Sequence, residues 1–267
     1  MIGRKLFCAG LMICLCDLPA LAASIGVGSF DPSQFANPTL LLDPSIANPF
    51  IRTLGILADH RAYQPATALG TAFGLDIGIE ATLMKIPQEF NDAIASAGYN
   101  GQGLPVAPIA KLHLHKGIGP RVDIGGSGLF YQSFSVWGID LKVVTFKPEE
   151  GLTWAVRMNY GHSDVGIATT RTYTPQLLLS TDLEIADPYF GFGYEYVEGT
   201  INIVQPTGAP AGFPQTVTVT GKGSGGAFMA FLGVALKIPA TGIKLTVEGA
   251  YSLLGADTLG TKFGFAF

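Results

Sequence analysis

The sequence predicts an all-β chain that closes into an up-and-down antiparallel transmembrane barrel of ten to twelve strands. Three observations predict it: alternating apolar and polar residues over many short segments, a composition too apolar for water alone, and abundant glycine. Of 267 residues, 48% are hydrophobic and only 13% charged, whereas a soluble domain has about a quarter charged. The 35 glycines and 17 prolines disfavour long helices, because each costs about 1 and 3 kcal/mol, respectively, in a helix interior. A net charge of −4, with scattered Lys and Arg, excludes a basic footprint for nucleic acid.

Residues 1–23 read as an export signal. Arg4 and Lys5 precede an apolar stretch from Leu6 to Leu15, and Ala20-Leu21-Ala22 supplies a small-x-small cleavage site. All three cysteines, Cys8, Cys14 and Cys16, fall inside it, so the exported chain is expected to carry no disulfide. Neither Cys14 nor Cys16 follows the small residue that lipidation needs. Residues 24–50 are Pro-rich, lack sustained alternation and are expected to form a periplasmic or lumenal segment, a loop or plug. Residues 51–267 are assigned to the barrel. Residues 53–63 read as a further strand; if it spans, twelve strands result, and if not, ten.

No run of about eighteen apolar residues follows the signal, so a spanning helix is not on offer. Period two is clear instead, as expected of a strand with different media on its two faces. In Phe73 to Leu83, Phe73, Leu75, Ile77, Ile79 and Leu83 oppose Gly74, Asp76, Gly78, Glu80 and Thr82. In Trp137 to Val143, Trp137, Ile139, Leu141 and Val143 oppose Gly138, Asp140 and Lys142. Leu152 to Gly161 sets Leu152, Trp154, Val156, Met158 and Tyr160 against Arg157 and Asn159, among others. Tyr189 to Val197 sets Phe190, Phe192, Tyr194 and Tyr196 against Gly191, Gly193 and Glu195. Gly242 to Leu253 sets Ile243, Leu245, Val247, Tyr251 and Leu253 against Lys244, Thr246, Glu248 and Ser252. A soluble sandwich also alternates, but its solvated face would carry more Lys and Glu than these Gly-rich and Thr-rich faces do.

Short turns are expected at Lys116 to Pro120, Lys147 to Gly151, Ala186 to Pro188 and Pro239 to Gly242. Longer loops are expected at Pro87 to Leu104, His162 to Thr169 and Gln205 to Pro214. Thr200 to Val204 and Thr216 to Thr220 are expected to continue as a hairpin above the membrane.

The last strand, Leu259 to Phe267, places Phe263, Phe265 and Phe267 on one face and ends on an aromatic residue. This resembles the C-terminal signature of bacterial outer-membrane β-barrel proteins, in the loose manner of porin-like and fatty-acid-transporter-like barrels. The resemblance implies the outer membrane as location, its lipids as surroundings, and the barrel-assembly machinery as a partner reading those three phenylalanines.

The expected lumen face carries Asp76, Glu80, Asp140, Asp182, Glu184, Glu195 and Glu248 together with Lys111, Lys142, Arg157, Lys244 and Lys262. Such mixed charges either line a hydrated, weakly selective pore or pair across the interior and fill it. Met229 and Phe231 are expected inside as well, from a segment apolar on both faces. The sequence reading is a channel or transporter for small or hydrophobic solutes, against a non-conducting structural or surface-binding barrel. A third reading is a lipid-modifying barrel hydrolase, but the adjacent His162 and Ser163 would point to opposite faces of a strand. Catalysis, cofactor and metal are not expected. His113 and His115 share a face, yet supply only two ligands.

Overall fold

The computed structural model describes residues 32–70, 74–99, 105–131, 134–149, 151–206, 216–238 and 241–267. The export signal expected at 1–23 and residues 24–31 lie outside them. Ten strands form one closed antiparallel barrel: β1 (Leu75–Lys85), β2 (Val106–Gly117), β3 (Val122–Tyr131), β4 (Phe134–Phe146), β5 (Thr153–Val165), β6 (Ala168–Ser180), β7 (Ala186–Pro206), β8 (Thr216–Lys237), β9 (Ile243–Ser252) and β10 (Thr258–Ala266). Each strand pairs with its neighbour in sequence, and β1 pairs with β10 from Asp76↔Ala266 to Met84↔Thr258.

Period two governs the wall. Ile77, Leu112, Leu114, Ile139, Leu141, Val156, Met158, Phe190 and Phe192 face outward and are exposed, while Glu80, His113, Asp140, Arg157 and Glu195 face inward and are buried. Met229 and Phe231 also turn inward. The outer face has aromatic rows near both ends. Tyr160, Tyr173 and Tyr196 are directly opposite one another across β5, β6 and β7. Phe146, Trp154, Leu179 and Phe190 form a second row across β4 to β7. Trp154 and Tyr160 lie six residues apart on β5, about 20 Å along a strand.

The strand count is ten because residues 53–63 do not join the wall. They belong to a helix, α1 (Pro44–Ala58), followed by a segment without regular structure. The wall therefore begins at Leu75, and the barrel boundary expected at residue 51 moves accordingly. Asp43 caps α1: its Oδ1 accepts from the Ser45 backbone N–H at 2.8 Å and the Ser45 hydroxyl at 2.6 Å. These two bonds hold the Asp43 carboxyl below its usual range. Pro44 stands at the first helical position, where its missing N–H costs nothing.

The helix lies inside the barrel. Ala47, Phe50, Ile51 and Leu54 are buried, and Ala47 and Ile51, with Leu42 just before the helix, meet a stripe of glycines on β7 and β8. A Cβ at Gly223 would stand 2.8 Å from the Ala47 carbonyl oxygen, one at Gly199 2.9 Å from Ile51 Cγ2, and one at Gly221 2.9 Å from Leu42 Cδ2. Those glycines are the groove that admits a helix to the wall. Gly55 returns the fit from the helix side, 2.2 Å from Val197 Cγ1 by the same measure.

Three further features differ from the sequence expectation. The turn expected at Ala186 to Pro188 is the start of β7, and the chain instead reverses at residues 181–185; Pro188 stands just beyond the last β6–β7 pair, Ser180↔Tyr189. The long loop expected at His162 to Thr169 is a two-residue hairpin, with Val165 opposite Ala168 and Gly166 at φ 75°. The connection after β1 carries a second helix, α2 (Gln88–Ser96), whose Phe90 stacks on Phe50 of α1 at 5.5 Å. The expected hairpin above the wall is present, β7 and β8 pairing as far as Pro206↔Thr216.

Candidate functional site

The lumen is filled by the chain's own N-terminal segment. Leu42 meets Gly221 near the free end of the β7–β8 hairpin, Ile51 meets Gly199, Gly55 meets Val197, and Ala58 meets Gly161. From there residues 59–69 run down the lumen without regular structure, Tyr63 at φ 49°, until Ala66 N–H donates to Ser180 Oγ at 3.0 Å and Leu69 N–H to Asp123 at 3.1 Å, both at the end of the barrel that holds Leu75 and Phe267. The chain enters at one mouth, leaves at the other and turns back into β1.

Such a segment has no internal partners for its carbonyls, and an unpaired buried carbonyl is costly. The wall supplies the donors. Lys111 Nζ donates to the Asp59 carbonyl at 2.6 Å, Asn159 Nδ2 to His60 at 2.9 Å, Lys262 Nζ to Ala62 at 3.3 Å and Arg157 Nη2 to Gln64 at 2.9 Å. Lys142 Nζ donates to both Pro65 at 2.9 Å and Thr67 at 2.7 Å. Four of the five bases expected to line the lumen thus bind backbone.

The carboxylates neutralise the same bases. Asp76 sits between Lys262 at 3.1 Å and Lys244 at 3.2 Å. Glu80 faces Lys111 at 3.4 Å and also contacts His113, as the register dictates: Glu80 is opposite Lys111 on one side and Lys262 on the other. Asp123 pairs with Lys142 at 2.9 Å, Glu195 with Arg61 at 3.5 Å, and Glu248 accepts from the Tyr189 hydroxyl at 2.7 Å. Asp182 and Glu184 are not in the lumen; they are exposed in the β6–β7 turn. Asp182 instead pairs with Lys237 at 2.9 Å, which holds its carboxyl below the usual range.

One row across the sheet brings chemistry together. His115, Gly125, Asp140 and Asn159 are successive partners on β2, β3, β4 and β5. Because Gly125 has no side chain, His115 Nε2 reaches over it to Asp140 Oδ1 at 3.0 Å. In the adjacent row, Gly138 leaves space for His60, whose Cβ would be 2.5 Å from a Cβ there. His60 Nε2 reaches the same Asp140 oxygen at 2.8 Å, and His60 Nδ1 lies 2.6 Å from Ser127 Oγ. With Asp140 ionised, both Nε2 atoms carry the donated proton and His60 Nδ1 accepts from Ser127.

A serine, a histidine and an aspartate in line have the ingredients of an activated nucleophile. Here all three are buried, and His60 belongs to the N-terminal segment that covers Ser127, so a movement that admitted an acyl substrate would also carry the histidine away. The other serine and histidine pair is divided by the strand: Ser163 is buried and bonded to Thr170 at 2.7 Å, whereas His162 lies on the outer face against Trp137 at 5.4 Å.

The structure turns Asp76, Glu80, Lys111, Asp140, Lys142, Arg157, Glu195, Lys244, Glu248 and Lys262 inward and buries them, and the sequence reading omits Asp123 of β3, buried against Lys142 at 2.9 Å. That reading also missed Asp59, His60, Arg61 and Tyr63, which enter from the segment read as a strand. The available signals were the Asp43-Pro44-Ser45 cap and three successive polar residues, Asp59, His60 and Arg61, which interrupt the alternation of any strand drawn there.

No protein-family model and no curated protein matches the chain. Solved structures similar to it include the outer membrane protease OmpT from Escherichia coli, at 12% identity over 73% of this chain and 96% of that one, with a TM-score of 0.40. They include the N-terminal β-barrel domain of Pseudomonas aeruginosa OprF, at 15% identity, 54% and 96% coverage and a TM-score of 0.31. Neisserial surface protein A is similar at 9% identity, 74% and 99% coverage and a TM-score of 0.29. At these values the likenesses carry no argument about activity.

Proposed function

We propose that the chain is an exported outer-membrane barrel, sealed by its own N-terminal segment, whose working part is the surface it presents at the mouth where that segment enters. The observation that carries this reading is the set of wall side chains bonded to the carbonyls of residues 59–67. Irregular backbone at membrane depth is tolerated where it is buried in protein, and here each bonded carbonyl would lose its partner if the segment withdrew. Solute passage requires breaking that set, so a resting barrel that does not conduct fits better than an open pore.

The apolar outer face between two aromatic rows supports a bilayer setting, and Phe263, Phe265 and Phe267 on β10 remain the proposed contact for assembly machinery. Orientation follows from the connections. Those at the C-terminal mouth are all short, at residues 118–121, 147–152, 181–185 and 238–242, whereas the other mouth carries, beside short connections at 132–133, 166–167 and 253–257, the long one at 86–105 and the projecting β7–β8 hairpin. Outer-membrane barrels keep short turns in the periplasm and longer loops outside. The entry mouth, with α2, the hairpin and the residues before α1, therefore faces the exterior. A barrel of this kind acts by binding through its loops.

The N-terminal segment is thereby displayed outside the cell, and this is directly measurable. Once the cysteines of residues 1–23 are removed, Thr39→Cys provides a single thiol at an exposed position of the entry mouth. It is expected to react with a membrane-impermeant maleimide on intact cells, while Glu184→Cys, exposed in a short turn, reacts only after the outer membrane is permeabilised. Protection of Thr39→Cys together with labelling of Glu184→Cys on intact cells would reverse the orientation.

A further inference from the structure

His60, His115 and Asp140 offer three ligand atoms within 4.8 Å of one another. We infer that they form a site for one divalent transition-metal ion of the zinc type, which would tie the N-terminal segment to strands β2 and β4. This inference rests on lumen geometry and does not depend on which way the barrel faces.

The donor set is two imidazole nitrogens and a carboxylate oxygen, the combination that borderline divalent ions such as zinc and cobalt accept. All three side chains are fully buried, and they come from three separate parts of the chain, so only the assembled fold brings them together. Zinc bonds to such ligands are about 2.0–2.2 Å long, placing neighbouring ligand atoms in a tetrahedron roughly 3.4 Å apart. The Nε2 atoms of His60 and His115 stand 2.8 and 3.0 Å from Asp140 Oδ1. The three would open by roughly half an ångström around an ion of that bond length.

Two further observations point to an occupant. Asp140 Oδ2 and His115 Nδ1 are buried without hydrogen-bond partners among the described residues, and Oδ2 offers a second coordinating oxygen on the same carboxylate. His60 Nδ1 lies 2.6 Å from Ser127 Oγ; with Nε2 on an ion, the Nδ1 N–H would donate to that hydroxyl and hold the ring so that Nε2 points at the site, as the outer partner of a metal-bound histidine does. The surrounding charge is mixed: by formal charge the buried carboxylates Asp59, Asp76, Glu80, Asp123, Asp140, Asp187, Glu195 and Glu248 outnumber the buried bases Arg61, Lys111, Lys142, Arg157, Lys244 and Lys262 by two, and Arg157 Nε stands 3.8 Å from Asp140 Oδ2. Gly125 and Gly138 keep the space open, since a Cβ at Gly125 would fall 1.8 Å from His115 Cδ2 and 2.3 Å from Asp140 Oδ1.

The test is to refold the full mature chain from chelator-treated denaturant into detergent in the presence of zinc alone or cobalt alone, because ligands this buried load during folding. After removal of free metal, the expected result is one zinc per chain. The cobalt form is expected to show the visible absorption of a low-coordinate site, and zinc is expected to raise the temperature at which the folded form is lost on heat-modifiable gels. His115→Leu and Asp140→Asn lose the cobalt band and the thermal shift, and His162→Ala, which changes a histidine on the outer face, keeps both. A folded wild-type chain that emerges without metal overturns the inference whatever the variants do. So does a folded His115→Leu chain with an unchanged cobalt spectrum.

Discussion

A chain lacking residues 24–69 is expected to conduct. In planar bilayers the intact chain should give no sustained steps, and the shortened one, confirmed as folded by heat-modifiable migration, should give discrete and long-lived ones. The barrel wall closes through β1 and β10 without help from the missing residues, so its removal leaves a continuous lumen. Lys111, Lys142, Arg157 and Lys262 would lose their carbonyl acceptors and be hydrated instead. In an eight-stranded barrel, wall side chains alone fill the interior; here ten strands also enclose α1 and the segment after it, which is the space that opens. Without the segment, the wall presents Asp76, Glu80, Asp123, Asp140, Glu195 and Glu248 against Lys111, Lys142, Arg157, Lys244 and Lys262. Ion selectivity should therefore be weak and shift toward cations in Lys262→Glu. Equal conductance from the intact and shortened chains would refute the seal.

Asp76→Ala is expected to be among the most damaging single changes outside the apolar core, at about 3–5 kcal/mol, because removing one partner leaves buried charge uncompensated. Asp76 is the carboxylate shared by Lys244 and Lys262, and Lys262 in turn holds the Ala62 carbonyl. The loss should appear in urea unfolding of the detergent-refolded barrel. Asp76→Asn should cost less, since its amide oxygen still accepts from one ammonium. The contrast is Asp257→Ala, which removes an ion pair with Lys85 that is 3.8 Å long and largely exposed, and which should change stability by no more than ~1 kcal/mol. Equal effects at the two sites would mean that the lumen is hydrated rather than packed.

The wall was legible in the sequence because a strand between two different media writes its orientation into every second residue. Trp137 to Val143, Tyr189 to Val197 and Gly242 to Leu253 are all strands with the faces read from their alternation. A loop or plug was expected from residues 24–50, but its helix and its continuation to residue 69 were not read. The helical spacing of Ala47, Phe50, Ile51 and Leu54 is present in the sequence, but Ile56 and Leu57 are buried as well, because the barrel covers the last turn on nearly every side, and residues 53–63 therefore read as a strand. The turn at Ala186 to Pro188 was misplaced because proline was taken as an interruption, whereas Pro188 is accommodated at a strand's first residues. The convergence of His60 with His115 and Asp140 belongs to tertiary structure. Sequence alternation put His115 and Asp140 on one face, but only the path of residues 59–69 brings His60 to them.

The charges illustrate the same limit. Alternation identified the inward bases correctly, and composition left open whether water or protein would meet them. Their bonding to carbonyls of the descending segment decides that question in the folded chain, and it assigns them a task that no pore requires: satisfying backbone that has no strand partner.

The claim on which the account depends is that α1 lies against β8 inside the barrel. Ile51→Cys with Gly223→Cys tests it most directly, in a chain produced from residue 24 onward, which carries no other cysteine. A Cβ on Gly223 would lie 3.0 Å from Ile51 Cβ and 2.8 Å from the Ala47 carbonyl oxygen, so α1 must give by a few tenths of an ångström, a shift that moves the pair toward the roughly 3.5–4.5 Å that disulfides favour. The account predicts that the pair is found oxidised in the folded barrel, with a single cross-linked peptide joining residues 51 and 223 and no free thiol after denaturation. Two free thiols in a correctly folded barrel would contradict it.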